Sequence, residues 1–370
     1  MTTWRAEPLG RVVTLQRGFD LPSRLRRHGD VPIVSSSGVS DWHDRAMVEA
    51  PGVVTGRYGT IGEVFYLGVN FWPLNTTLWV SHFHGNDARF VYYMLQCIDF
   101  TTHSGKSGVP GVNRNDLHAE DVFYPRELSE QRAIADALGD ADSLIASLER
   151  LIAKKRDIKQ GMMQELLTGR TRLPGFDAAW QTVAFGEIAS LSRDRVSPGA
   201  STGRVIELEH LASGTGVLLG DANVADSASL KTKFAAGDVL FGKLRAYLRK
   251  FWLADRDGHA STEIWAIRAR PGVALGAFLR YVVEQDSFIE SASTAYGTHM
   301  PRSDWKVVSR YELLVPPLNE QQAISGVLRA ADAEIAALDR RLESTRAIKQ
   351  GMMQELLSGR TRLLVKECAA

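Results

Sequence analysis

Apolar residues at Ile134, Leu138, Ala141, Ile145, Leu148 and Ile152 follow the alternating four-and-three spacing of a coiled-coil seam. Ile324, Leu328, Ala331, Ile335, Leu338 and Leu342 repeat that spacing later in the chain. Each series predicts a helix of about 40 residues, roughly 60 Å long at the standard rise. Both seams slip near Lys155 and Thr345, before Ile158 and Ile348, where the supercoil should change locally. A stripe this narrow does not hold an isolated helix in water, so each helix needs a partner. Gly161 and Gly351 interrupt the two helices at equivalent positions, at about 1 kcal/mol each relative to alanine, and close packing is the expected compensation.

The likeness goes beyond pattern. Residues 158–173 read IKQGMMQELLTGRTRL and residues 348–363 read IKQGMMQELLSGRTRL, differing only at Thr168 and Ser358. Upstream, SEQRAIADAL at 129–138 answers NEQQAISGVL at 319–328. Both halves open on a W-x4-[LF]-G-x-[VI] pattern, through Trp4, Leu9, Gly10 and Val12 and through Trp180, Phe185, Gly186 and Ile188. The chain is a tandem duplication, and two copies are too few for a solenoid. Between these anchors the halves share only a loose pattern, VVTGRYG at 53–59 against VLFGKLR at 239–245. One scaffold with two different outer surfaces explains this, and 370 residues are enough for several domains.

Charge sets the direction of pairing. The first helix is acidic through Glu149 and then carries Arg150, Lys154, Lys155, Arg156, Lys159, Arg170 and Arg172. In the second, Glu320, Asp332, Glu334 and Asp339 precede Arg340, Arg341, Arg346, Lys349, Arg360 and Arg362. An antiparallel pair sets acid against base, and only that arrangement closes the duplication on a pseudo-two-fold. The same gradient also suits each helix's own dipole. Around Met162, Met163, Leu166 and Leu167, and around Met352, Met353, Leu356 and Leu357, the helices are apolar over more of their circumference than one seam requires. A second helical partner and packing on the chain's own globular domains both account for that width.

Composition narrows the class without naming a partner. Lys and Arg number 44 against 43 Asp and Glu, so any basic surface is local. Two widely separated cysteines, Cys97 and Cys368, fit a reducing compartment. With no signal-peptide pattern at the N-terminus and no apolar run of spanning length, the expected location is the cytoplasm, without membrane association. GKS at 105–107 lacks the leading glycine of a phosphate loop, since Phe100 stands there. Gly214, Gly216 and Gly220 miss the dinucleotide spacing, and no HExxH, CxxC, G-x-S-x-G or Asn/Asp-Pro-Pro-aromatic run occurs. No catalytic residue, metal site or cofactor of the chain's own is expected.

VPPLNEQQAI at 315–324 and IKQGMMQELLSGRTRL resemble the repeated segments of Type I restriction-modification specificity subunits, a likeness that covers nearly the whole chain. The first copy departs from it at FYPRELSEQ, residues 123–131. The resemblance implies an α+β protein in which two mixed α/β target-recognition domains, 1–126 and 174–316, are separated by two long antiparallel coiled-coil spacer helices, 127–173 and 317–363, with a tail at 364–370. It implies that each domain reads one half of a split double-stranded DNA site. It also implies two adenine-N6 methyltransferase subunits and translocating restriction subunits as partners, which would use S-adenosylmethionine, ATP and Mg. The wide apolar face at Met162, Met163, Leu166, Leu167, Met352, Met353, Leu356 and Leu357 would then receive methyltransferase helices.

Phosphate contacts call for Lys and Arg, and base contacts for Arg, Lys, Asn, Gln, Ser or Thr. Glycine-bearing loops offer these in both halves. The first half supplies Arg24, Arg26, Arg27, Arg57, Tyr58, Lys106, Ser107, Asn113 and Arg114. The second supplies Lys243, Arg245, Tyr247, Arg249, Thr298, His299 and Arg302, with Arg57 and Lys243 at matching places. A site read this way is bipartite and asymmetric, with half-site centres about one DNA turn, roughly 34 Å, apart. The residues alone leave open a non-DNA adaptor that holds two protein ligands on a coiled-coil strut. Salt-dependent binding of duplex DNA separates the two readings.

Overall fold

The computed structural model describes residues 4–103, 111–197, 203–223, 229–294 and 301–363. The chain divides into two units, Met1–Arg150 with Arg340–Ala370, and Leu151–Asp339. Two helices dominate the sequence, Leu128–Leu166 and Leu318–Leu356, each 39 residues long. The first half of one and the second half of the other belong to each unit.

In the first unit, Trp4–Pro8 pairs antiparallel with Asp121–Pro125 at the foot of a head. The head's main sheet has the order Thr14–Arg17, Thr77–His82, Gly52–Gly56, Val64–Leu67, antiparallel throughout. A second sheet places Val31–Ser35 between Gly38–His43 and Trp72–Pro73. Strand Gly52–Gly56 is buried along its whole length because cores lie on both of its faces. Val53 enters the core that holds Phe90, Leu95 and Leu117, whereas its neighbour Val54 enters the one that holds Val34, Leu67 and Phe71. Successive side chains on a strand point to opposite faces, so a run of apolar residues is what this position demands.

The second unit is built the same way on its own residues. Gln181–Ala184 pairs with Glu312–Val315, and the main sheet runs Ala189–Leu191, Ile264–Ala269, Val239–Gly242, Phe251–Leu253. Val239 and Phe241 face one core and Leu240 the other. The glycine of the shared opening pattern has the same task in both heads: a Cβ on Gly10 would lie 3.0 Å from the Cβ of His118, and one on Gly186 would lie 3.0 Å from that of Ser309.

Within each unit the helix segments run antiparallel, and acid meets base. Arg346 reaches Glu149 at 2.7 Å and Lys349 reaches Asp142 at 2.6 Å in the first unit. Their equivalents in the second are Arg156 with Asp339 at 3.1 Å and Lys159 with Asp332 at 2.7 Å. Ile134, Leu138, Leu148, Ile152, Ile324, Leu328 and Leu342 are buried along the predicted seams. The slip is visible too: Ile158 and Ile348 turn outward, 45% and 59% exposed, while Lys159 and Lys349 face inward. Gly161 and Gly351 do not follow expectation, because nothing lies within 4 Å of a Cβ placed on either. Packing inside the fold therefore does not offset their cost.

A carboxylate and an amide at the start of each long helix fix its head. Glu130 accepts from Trp4 Nε1 at 3.0 Å and from Arg362 Nε and Nη2 at 2.8 and 2.6 Å. Glu320 accepts from Trp180 Nε1 at 2.9 Å and from Arg172 Nε and Nη2 at 2.6 and 2.7 Å. Gln131 donates to the Pro125 carbonyl and the Asn86 side chain and accepts from Asp87 N. Gln321 donates to the Pro316 and Val273 carbonyls and accepts from Leu275 N. The departure at residues 123–131 leaves this geometry intact, since Glu130 N and Gln131 N donate to the Glu127 carbonyl as Glu320 N and Gln321 N donate to that of Pro317.

Candidate nucleic-acid interface

Arg57 follows directly on the buried strand Gly52–Gly56. Its amide and that of Tyr58 both donate to the Thr76 carbonyl, at 2.8 and 3.1 Å, while its own carbonyl accepts from Val112 N at 2.9 Å. The backbone is thus tied on both sides, and the guanidinium rests over the Tyr58 ring, 4.6 Å from its centroid. Stacking in this way leaves the N–H edges of the plane directed outward. Together with Arg17, Asn113, Arg114 and Asn115 these residues line a recess of about 270 Å³, and no carboxylate lines it among the described residues. The Asn113 side-chain oxygen accepts from Asn115 N and starts the helix Arg114–Ala119.

The second head places Lys243 at the same step, directly after Val239–Gly242. Its amide donates to the Glu263 carbonyl and its carbonyl accepts from Ser303 N, both at 2.9 Å. Lys243 lines a larger recess, about 730 Å³, with Arg193, Arg195, Arg270, Ser190, Ser192, Thr232 and Thr262, and with Glu187 as its one carboxylate. Arg17 ends the first main-sheet strand of its head, where it pairs with Asp20 at 3.2 Å on an exposed turn, and Arg193 lies two residues past the end of the corresponding strand. Each recess therefore joins a cation from that strand end to a cation that follows the buried strand. Anionic polymers are held by such clusters, and hydroxyl and amide groups beside them address base edges. A recess of about 1410 Å³ lies elsewhere in the second unit, against the helix segments. It mixes both signs, and Arg156, Lys159, Arg249 and Arg280 are engaged there by acids, which suits it less to an anion.

The remaining expected contacts fall into three groups. Arg24, Arg114 and Arg245 are exposed and have no ion pair among the described residues; Tyr247 is 55% exposed. Several arginines are engaged inside the chain. Arg26 donates to Asp41 at 2.8 Å, which, with the Trp42 amide, holds the Asp41 carboxyl below its ordinary range. Arg27 lies 3.8 Å from Asp44, Arg249 bonds Asp286 at 2.5 Å, and Arg302 bonds Glu263 at 2.9 Å. Lys106, Ser107, Thr298 and His299 lie outside the described residues. Arg24, Arg26 and Arg27 do not line the recess of Arg57, and Arg245, Tyr247 and Arg249 do not line that of Lys243. Reading loops alone missed Arg17, Arg193 and Arg195; alignment of the two opening patterns sets Arg17 opposite Arg193 and would have found that pair.

The wide apolar face of the helices is used within the chain. Met163, Leu166 and Leu167 are buried in one core with Phe185, Ile188 and Phe278, and Met162 packs on it. Leu356 and Leu357 are buried in the other with Trp4, Phe90 and Tyr124, and half-buried Met352 and Met353 pack on that. Packing on the chain's own heads thus accounts for Met163, Leu166, Leu167, Leu356 and Leu357, while Met162, Met352 and Met353 stay half-buried.

Comparison with known proteins agrees with this architecture. The family described as the Type I restriction modification DNA specificity domain matches residues 1–155. The specificity subunit of the Type I restriction enzyme EcoDI from Escherichia coli is 24% identical over 310 residues, which span 73% of this chain and 68% of that protein. The S subunit of a Type I restriction-modification system from M. genitalium shares the fold, with a TM-score of 0.63 over 95% of this chain and 96% of that one at 15% identity. A chain from a type I R-M system, solved for its complex assembly and conformational transition, gives 0.56 over 97% and 98% at 15% identity. In sequence over residues 1–155, and in the fold of its duplicated heads and long helices, the chain is thus similar to Type I restriction-modification specificity subunits.

Proposed function

We propose that this chain is the sequence-reading subunit of a Type I restriction-modification complex and binds an asymmetric, bipartite site on double-stranded DNA. Residues 1–126 and 174–316 act as the two target-recognition domains, and 127–173 and 317–363 as the spacers that set the gap. The observation that carries this reading is the matched pair of basic recesses: Arg17 with Arg57 in one head and Arg193 with Lys243 in the other, on the same strand order. Equivalent cations grip two stretches of backbone, while the unlike neighbours, Asn113 and Asn115 against Ser190, Thr232 and Thr262, read different bases.

The chain has no active site of its own in this reading. Methyl transfer belongs to two adenine-N6 methyltransferase subunits and cleavage to restriction subunits, which bring S-adenosylmethionine, ATP and Mg. Docking of the methyltransferases falls to the outward faces of the long helices and the half-buried Met162, Met352 and Met353, since the other members of that apolar face are in the cores. The complex works in the cytoplasm, where its DNA is. Co-expression with the methyltransferase subunit, followed by mapping of modified adenines, tests the proposal. A two-part motif with unlike halves is expected; a continuous or palindromic motif, or none, would refute it.

A further inference from the structure

Three described residues other than glycine adopt a left-handed backbone: His84 at φ 48°, Arg245 at φ 54° and Arg249 at φ 51°. Side chains rarely tolerate this region, and it recurs where function holds a residue in place. Two of the three are accounted for inside the chain. The His84 ring bonds the Thr14 hydroxyl at 2.8 Å, and the Arg249 guanidinium bonds Asp286 at 2.5 Å and the Glu284 carbonyl at 3.3 Å. Arg245 is exposed, and its guanidinium has no hydrogen bond, ion pair or ring contact among the described residues.

The first head shows what the turn itself needs. Aligning VVTGRYG with VLFGKLR sets Gly59 at the place of Arg245, two residues after Arg57 and Lys243 respectively, and Gly59 is also left-handed at φ 79°. Glycine meets that conformation without strain. In the second head the backbone is tied in the same strained state by Arg245 N donating to the Pro301 carbonyl at 2.9 Å, and by Leu248 N donating to the Arg245 carbonyl at 2.9 Å. An arginine that is strained, exposed and unengaged serves something outside the chain. A phosphate contact does not require it, since Lys243 already supplies positive charge two residues away and a phosphate accepts any nearby cation. What an arginine adds beyond charge is a planar fork held in a fixed direction, which can take O6 and N7 of guanine together.

We propose that Arg245 is a specificity-determining residue of the second head and reads a guanine in its half-site, whereas the first head, with Gly59 at that place, reads no base there. This inference rests on the DNA-binding reading above. The test is selection of bound sequences from a randomised duplex library by the full chain, as wild type, Arg245→Gly and Arg245→Lys, with thermal melting of each protein.

Wild type should enrich a two-part motif. Arg245→Gly should melt about 1–4 °C higher, because strain is removed and no internal contact is lost. It should also lose discrimination at one position of one half-site by about 5- to 100-fold, with the other half-site unchanged. Arg245→Lys should lose the same discrimination while keeping the salt dependence of binding. An unchanged motif in both variants overturns the inference alone. So does a uniform loss of affinity with a shallower salt slope, which marks a phosphate contact, or a glycine variant that melts no higher than wild type. A wild-type chain that enriches nothing overturns the DNA-binding reading itself.

Discussion

The junctions between heads and helices are duplicated in nearly every contact, whereas the loops over the recesses are not. At the junctions a glutamate, an arginine, a tryptophan and a glutamine recur, Glu130, Arg362, Trp4 and Gln131 against Glu320, Arg172, Trp180 and Gln321, and differ only in that Gln131 donates to the Asn86 side chain where Gln321 donates to the Val273 carbonyl. At the recesses only the position of the cations recurs. A buried carboxylate tolerates no change of partner, because each lone pair left without a donor costs free energy, and the whole constellation must persist or vanish together. Loops at the end of a rigid strand carry no such mutual dependence. The molecule thus keeps its mounting constant and lets its exposed surface vary.

If the junctions are equivalent, breaking either should cost the same. Glu130→Ala and Glu320→Ala each remove a buried acceptor from an arginine and an indole N–H, and each should destabilise its own unit by about 2–4 kcal/mol. Urea unfolding with hydrogen exchange to locate the loss would measure it. An effect below about 0.5 kcal/mol at either site, the range of ordinary surface changes, would refute the equivalence.

One layer further in, the comparison should break. Lys349 meets Asp142, to which Tyr93 also donates at 2.8 Å. Lys159 meets both Asp332 and Glu284, and Arg280 joins the same two acids. The tyrosines, Tyr93 and Tyr281, are both pushed well above the ordinary phenol range, first by burial. Where the second unit has Arg280 and Glu284, the first has Tyr92 and Gln96. Lys159→Met leaves two carboxylates facing one arginine and should cost about 2–3 kcal/mol; Lys349→Met leaves one half-exposed carboxylate and should cost about 1 kcal/mol. Equal losses in paired unfolding experiments would show that the added charges do not matter.

How much of this was legible in the sequence follows from what repeats. The long helices, their antiparallel sense and the positions of the heads are written in a seam and a charge gradient that occur twice. The topology of the heads is not, because strands such as Ala189–Leu191 and Trp72–Pro73 are too short to show a period. The apolar width around Met163 and Leu356 was visible, but width does not name the neighbour, and the neighbour is the chain's own core. Arg26, Arg249 and Arg302 read as free cations because their partners, Asp41, Asp286 and Glu263, are distant in sequence. Lys243 and Arg57 were found because alignment of the halves placed them together; the same alignment carried to the strand ends finds Arg17 and Arg193.

Gly161 and Gly351 offer a smaller test with the opposite sign. Each lies in an identical stretch of its helix with open space where a Cβ would be. Gly161→Ala and Gly351→Ala should therefore stabilise the chain by about 0.5–1 kcal/mol each, read as a higher urea midpoint with unchanged slope. A loss of stability in either would mean that the backbone, and not only the side-chain space, requires glycine there.

The smallest effect should separate the heads by pH. His118 Nε2 accepts from Leu15 N at 2.9 Å, and burial, aided by the Arg114 charge, holds this imidazole below its ordinary range. The folded head therefore keeps His118 neutral where the unfolded chain already takes up a proton, so acid favours unfolding. Its contribution is complete above the ordinary histidine range and is lost as pH falls through the lowered value. The second head has Ser309 at the corresponding place against Gly186, and carries no such titration there. His118→Asn should remove part of the loss of stability between about pH 7 and pH 5, the span in which histidines titrate, whereas Ser309→Asn should leave that slope unchanged. Identical slopes in wild type and His118→Asn would show that the imidazole takes up its proton at the same pH in the folded head as in the unfolded chain, and the difference between the heads would then reside in their loops alone.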